Sequence, residues 1–132
     1  MRIILDSNVI ISALTTQGLS SRILDICIDK HIMFTSSFII EEVTRILSSK
    51  FKVDNDKITR ITTFIQQAMI KIEPTGIKPI CCRDDDDNNV LHLAEFIHAD
   101  HIITGDSDLL ILQTYKSTNI IKPRQCIERF HT

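Results

Sequence analysis

The stretch Arg2-Ile3-Ile4-Leu5-Asp6-Ser7-Asn8-Val9 decides the fold class. Ile3, Ile4 and Leu5 form an unbroken apolar run that stops abruptly at three polar residues. An apolar run without alternation suits a strand covered on both faces, as in a parallel sheet flanked by helices. A helix is expected directly afterwards, over residues 9–14. The same pattern returns along the chain. Residues 32–35 read as a second strand, residues 101–104 as another that stops at Gly105-Asp106-Ser107-Asp108, and residues 119–121 as the last, with Pro123 opening a terminal helix.

The intervening segments carry helical spacing. Ser20 and Ser21 offer a cap for a helix over residues 22–30, on which Ile23, Ile26 and Cys27 share a face. Ser36 and Ser37 precede a helix with Ile39, Ile40, Val43, Ile46 and Leu47 inward and Glu41 and Glu42 near its start. Asp54 begins a longer helix whose apolar stripe is Ile58, Ile61, Ile65, Ala68 and Met69. Pro74, Gly76 and Pro79 break up an irregular stretch in which a third strand is sought. Val90, Leu91, Ala94 and Ile97 mark a helix after the run Asp84-Asp85-Asp86-Asp87. Short strands alternating with helices predict an α/β fold with a central parallel sheet, as one domain over residues 1–132.

Composition excludes several functions. The chain has 15 basic and 17 acidic residues, a net charge of -2, so it is no general polycation. Its three glycines, Gly18, Gly76 and Gly105, cannot form a glycine-rich phosphate cradle. No apolar run approaches a membrane span and no leader is read at the start, so a cytoplasmic protein without membrane contact is expected. Cys27, Cys81, Cys82 and Cys126 form no C-x-x-C and read as reduced thiols.

The acidic residues are 12 Asp against 5 Glu, and their placement carries the chemistry. In an α/β sheet, sites form beyond the carboxyl ends of the strands. Asp6 follows the first strand, Asp106 and Asp108 follow the strand at residues 101–104, Asp87 stands at a helix start and Glu42 lies in the first turns of another helix. Each has an ordinary alternative. Asp54 is explained fully as a helix cap, Asp87 has the same alternative, Asp106 and Asp108 suit a turn, and Glu41 suits a solvated helix start. Asp6 is hardest to explain without a partner, because an acid ending a buried strand requires one. Two carboxylates about 4 Å apart repel by roughly 4 kcal/mol at an effective dielectric near 20, so converging acids need protons or a cation. Oxygen ligands suit Mg²⁺ or Mn²⁺, and the chemistry such an ion brings to phosphate is phosphodiester hydrolysis.

Four motifs occur in order: Asp6-Ser7-Asn8-Val9, Glu42 on a helix ending at Leu47, Asp84-x-Asp86-Asp87-Asn88 before an apolar helix, and Thr104-Gly105-Asp106-Ser107-Asp108-Leu109-Leu110. Together they resemble the PIN-domain nucleases, especially the small prokaryotic VapC-like toxins of toxin–antitoxin pairs. The resemblance implies a Rossmann-like three-layer α/β/α fold and a metal-dependent endoribonuclease in which metal-activated water hydrolyses RNA. It also implies products that carry a 5′-phosphate and a 3′-hydroxyl, the ends this family typically leaves. It assigns Asp6, Asp87 and Asp106 to the metal, Glu42 to a bound water or second ion, and Asp108 to the same catalytic cluster. Asn8 and Thr104 become orienting residues. The related small proteins usually carry proline where Asp85 stands, which opens the identity of the third acid. Counting back from Ala94 favours Asp87, with Asp84 as the alternative and Asp85 and Asp86 solvated. An antitoxin protein and a homodimer through the helices at residues 23–28 or 58–69 are the implied partners.

Competing readings fit less well. A PIN fold without activity, serving as an RNA- or protein-binding module, is the main rival. A receiver-like phosphoacceptor domain needs an acidic pair at Asp6 and a second aspartate ending the third strand, and a dehalogenase-like phosphatase needs aspartate where Asn8 stands. His92, His98 and His101 lack zinc spacing and read as structural or surface residues. Arg45, Lys50, Lys52 and Arg83 are candidates for phosphate contact, with ordinary surface charge the alternative. Setting aside Asp6, Glu42, Asp87, Asp106 and Asp108 leaves 15 basic against 12 acidic residues, so near-neutral charge is compatible with an RNA enzyme.

Overall fold

Asp6 both leaves the first strand and starts the first helix. In the computed structural model, which describes residues 1–130, strand β1 (Arg2–Leu5) runs into helix α1 (Ser7–Thr15) with Asp6 as its only connection. Its carboxylate accepts the Ser7 N–H at 2.8 Å, so the cap begins the helix two residues before the apolar pattern implied. Helix α2 (Leu19–Lys30) also starts early. Gly18 occupies its cap position without a side-chain bond, and Ser20 lies buried in the first turn instead of capping.

The sheet then grows to one side. Strand β2 (Ile32–Thr35) pairs parallel with β1, and Ser36 caps α3 (Ser37–Ser49) as expected, accepting from the Ile39 N–H at 3.3 Å. Asp54 caps α4 (Asn55–Ala68) through the Lys57 N–H. The α4 stripe is less of a core face than its spacing suggests: Ile65 and Met69 are buried, while Ile58, Ile61 and Ala68 are half-buried. The third strand, β3 (Ile70–Lys71), comes immediately after α4 and precedes the proline-punctuated stretch.

Helix α5 (Asp85–Ile97) returns the chain across the sheet to β4 (His101–Ile103), which pairs parallel with the other side of β1. The short α6 (Ser107–Leu110) leads to β5 (Thr114–Tyr115) and β6 (Thr118–Ile121), and α7 (Pro123–Phe130) follows. The strand order is β3-β2-β1-β4-β6-β5. Crossovers leaving β1 and returning to β4 run in opposite directions, and right-handed connections therefore put α1–α4 and α5 on opposite faces. The result is a three-layer α/β/α arrangement, parallel except at β5.

The β5–β6 hairpin was not expected. Its turn is Lys116-Ser117, and Lys116 adopts a φ of 53° where Gly or Asn would advertise a tight turn. The core is aliphatic: Ile3, Ile4, Leu5, Ile102, Ile103 and Leu91 are fully buried. Cys27 and Cys126 are buried where α2 meets α7, and all four cysteines are free thiols. Among the described residues no helix is long and apolar enough to cross a membrane.

Candidate metal centre

The strand order reverses direction between β1 and β4, so a crevice opens beyond their carboxyl ends. Leu5 pairs with Ile103 in this register, and the Asp6 N–H continues the ladder to the Ile103 carbonyl at 3.0 Å. The next residues, Asp6 and Thr104, are therefore neighbours. Thr104, fully buried, donates its hydroxyl to Asp6 Oδ2 at 2.7 Å and accepts the Asp106 N–H at 3.0 Å. One side chain thus couples the acid after β1 to the acid after β4.

Asn8 makes a second tie. Its Nδ2 donates to Asp6 Oδ2 at 3.2 Å, and its Oδ1 accepts the Gly105 N–H at 3.0 Å. Asp106 in turn caps α6, accepting the Asp108 N–H at 2.9 Å. Asp108 faces Arg83, whose Nε and Nη2 each lie 3.3 Å from one of its oxygens.

Helix α5 contributes the remaining acids. Asp84 is exposed and caps the helix through the Asp86 N–H, while Asp87, one turn further in, is buried. Ligand atoms of Asp87, Asp106 and Asp108 lie within 4.8 Å of one another. Asp87 Oδ2 is buried with no hydrogen-bond partner. Burial, above all, pushes the Asp87 acid up to about 8, helped by a shared hydrogen bond with Asp106 and the charges of Asp106, Asp6 and Asp84. Burial also raises Asp6, against the hydrogen bonds of Thr104, Ser7 and Asn8 that favour its charged form.

Glu42, from α3, approaches Asp6 and Asp86. Ser7 donates its hydroxyl to Glu42 Oε1, and Arg45 lies 3.8 Å from Oε2. Glu42 is raised by burial first, then by the charges of Asp6 and Asp86 and by a hydrogen bond with Asp86. Asp86 is half-buried here and meets Glu42, in contrast to the solvated position expected for it. Asp85 is exposed and pairs with Lys78.

Seven of the eight sequence-predicted residues thus reach one rim, but not equally. Asp87, Asp106 and Asp108 share a ligand cluster, Asp6 joins it through Thr104 and Asn8, Glu42 faces it from α3, and Asp84 remains outside as a cap. The sequence reading gave no role to Ser7, Asp86 or Asn88. Ser7 lay within the first motif and Asp86 within the acidic run, so their proximity to Glu42 needed the fold. Asn88 is buried, accepts the Cys81 and Cys82 N–H groups at 3.0 and 2.8 Å and donates to the Cys82 carbonyl. It fastens the loop that delivers the acidic run. The histidines do not gather: His92 contacts the Thr75 carbonyl, His98 ends α5 in a left-handed conformation, and His101 packs edge-on against Phe130. Beside the acids, a mainly apolar groove of about 460 Å³ between α1 and α3 is lined by Ser7, Asn8, Ile11, Ile46, Lys50 and Phe51 among others.

Thr104→Val tests the central tie. Valine keeps the shape but removes the donor to Asp6 and leaves the Asp106 N–H without its acceptor, a loss of about 1–3 kcal/mol. A lower melting temperature is expected, with any activity of the site falling roughly 10–100-fold, and Thr104→Ser should restore most of both. A valine variant indistinguishable from wild type in both measurements would refute the coupling.

A sequence profile of the PIN domain matches residues 2–108. No curated protein sequence matches the chain. Among solved structures, the VapBC2 complex of Rickettsia felis, crystallised with a DNA fragment from its promoter, contains a chain of similar fold. The similarity has a TM-score of 0.68 and 12% sequence identity, and it covers 92% of this chain and 98% of the other.

Proposed function

We propose, because the chain belongs to the PIN domain family, that it is a divalent-cation-dependent endoribonuclease acting as one domain. The observation that carries this reading is the cluster of Asp87, Asp106 and Asp108 with one buried Asp87 oxygen unpartnered. A buried carboxylate oxygen without a donor is costly in a finished structure and well suited to a hard cation. The donor set fits Mg²⁺ or Mn²⁺: all oxygen, three carboxylates, and room left for water. When bound, such an ion supplies charge neutralisation at a phosphate and acidifies water for hydrolysis.

The chain's own residues do the rest. Asp87, Asp106 and Asp108 would hold the cation, and Asp6 would add charge from the β1 side. Thr104 and Asn8 orient Asp6, with the same two side chains fixing the backbone at Gly105 and Asp106. Ser7 aims Glu42 across the crevice, where its carboxylate and that of Asp86 can hold a water or a second ion. The groove between α1 and α3 offers an apolar bed for a nucleotide flanking the scissile bond. The products are a 5′-phosphate and a 3′-hydroxyl.

The biological reading that follows is the toxin of a toxin–antitoxin pair, cytoplasmic, homodimeric, and controlled by an antitoxin. The likeness to a chain of VapBC2 supports it at the level of fold.

Purified protein incubated with total RNA should cleave it with Mn²⁺ or Mg²⁺ and stop on addition of EDTA, with 5′-phosphorylated fragments recovered by end mapping. Cleavage indifferent to EDTA would remove the cation from the reading. RNA binding without cleavage under any of these conditions would favour a binding module.

A further inference from the structure

Arg83 stands where the acidic cluster meets solvent. It directly precedes the Asp84 cap of α5, and its guanidinium forks onto Asp108, with Nε and Nη2 each 3.3 Å from a separate carboxylate oxygen. Asp108 is also one of three acids whose ligand atoms lie within 4.8 Å of one another. The same carboxylate is therefore claimed by a side-chain cation and by the cluster.

We infer that Arg83 is a phosphate-binding residue kept in reserve: it occupies Asp108 while the centre is empty, and cation binding releases it to a phosphate of the RNA strand.

Three physical points carry the exchange. A divalent ion at the cluster repels the guanidinium and competes for the same oxygens, so both cannot hold Asp108 with full strength. The Arg83 side chain is 85% exposed, and an ion pair so open to water is weak and readily traded. A guanidinium presents a planar fork that matches phosphate as well as it matches carboxylate. The trade also resolves a charge problem at the rim. Without a cation, Arg83 offsets part of the repulsion among the acids; with one, the acids are neutralised and the arginine becomes free for the anionic strand.

This inference rests on the nuclease reading and adds to it the residue that grips the substrate backbone. Its test uses Asp6→Asn as the parent, which leaves the Asp87, Asp106 and Asp108 donors intact and slows cleavage enough for binding to be measured. Mn²⁺ affinity is measured by calorimetry without RNA, and binding of a labelled single-stranded RNA by anisotropy across a salt series, with Mn²⁺ or EDTA. Adding Arg83→Ala should tighten Mn²⁺ about threefold, the inverse of a surface ion pair. In Mn²⁺ it should weaken RNA binding and flatten the slope of log affinity against log salt by about 0.7, the value for one phosphate contact on a single strand. In EDTA the slope should not change. Arg83→Lys should keep the salt slope in Mn²⁺, since a lysine still meets a phosphate as a point charge. An Arg83→Ala slope equal to the parent's in Mn²⁺ overturns the inference even where the parent binds RNA and cation. Wild type, titrated with Mn²⁺ alone and with a non-cleavable RNA analogue, is the control: a wild type that binds neither overturns the nuclease reading and this one with it.

Discussion

Asp6→Asn is expected to lower RNA cleavage by roughly two to three orders of magnitude while leaving the protein folded. Asp6 Oδ2 accepts from both Thr104 and Asn8, and Oδ1 accepts the Ser7 N–H that begins α1. Asparagine can keep its oxygen toward Thr104 and Asn8. Its amide then faces the Ser7 N–H, and the lost cap destabilises by about 1 kcal/mol. The same change removes a charge that burial disfavours, since the Asp6 acid is held above its usual range chiefly by desolvation. These effects oppose each other, so the melting temperature should move by only a few degrees. Activity has no such offset, because the negative charge beside Asp106 is gone. Circular dichroism and a cleavage assay on wild type and variant, purified in parallel, check both halves. Undiminished cleavage by a folded Asp6→Asn protein would show that the crevice between β1 and β4 is not where the chemistry occurs.

How far the centre could be read from sequence depends on how local its causes are. The abrupt end of Ile3-Ile4-Leu5 at Asp6 and the stop at Gly105-Asp106 are local events, and both acids fall at strand ends as expected. Their contact through Thr104 depends on β1 and β4 being adjacent, a consequence of strand order that one chain's periodicity suggests only in outline. The acidic run shows the limit more sharply. Four consecutive aspartates look equivalent in sequence, yet helical rotation buries Asp87, turns Asp86 toward Glu42 and leaves Asp84 and Asp85 in solvent. Counting from Ala94 identified the inward position because 3.6-residue periodicity is a local rule; Asp86 depended on α3 lying opposite. The β5–β6 hairpin went unread because Lys116 takes a left-handed turn position without the glycine that would mark it. Where the short edge strand β5 pairs with β6, register and packing decide, and composition is silent.

Asp87→Asn separates what the acid does for the fold from what it does for the cation. In the metal-free protein Asp87 is buried, one oxygen lacks a partner, and its acid is pushed up to about 8. The sign follows directly. The folded protein keeps the Asp87 proton until about pH 8, whereas the unfolded chain releases it near the ordinary value of 3.8. The stabilisation from holding that proton is complete below the ordinary value and is lost progressively as pH rises toward 8. Metal-free wild type should therefore melt lower at pH 8 than at pH 6. Asparagine is neutral at both and removes this contribution to the slope. At pH 8 the variant should be more stable without metal by about 1–2 kcal/mol, roughly 5 °C or more for a domain of this size. Addition of Mn²⁺ should reverse the ranking. A cation at a hundred times its dissociation constant stabilises wild type by about 2.7 kcal/mol, while the variant, lacking a charged ligand, gains far less. Thermal melts at the two pH values, each with Mn²⁺ and with EDTA, read all of this without an RNA substrate. A variant less stable than wild type in EDTA at pH 8 would mean that Asp87 is satisfied within the protein. Equal stabilisation of both proteins by Mn²⁺ would place the ion elsewhere. The expected crossing, with asparagine ahead in EDTA and aspartate ahead in Mn²⁺, is what a site built for a cation and strained without it should produce.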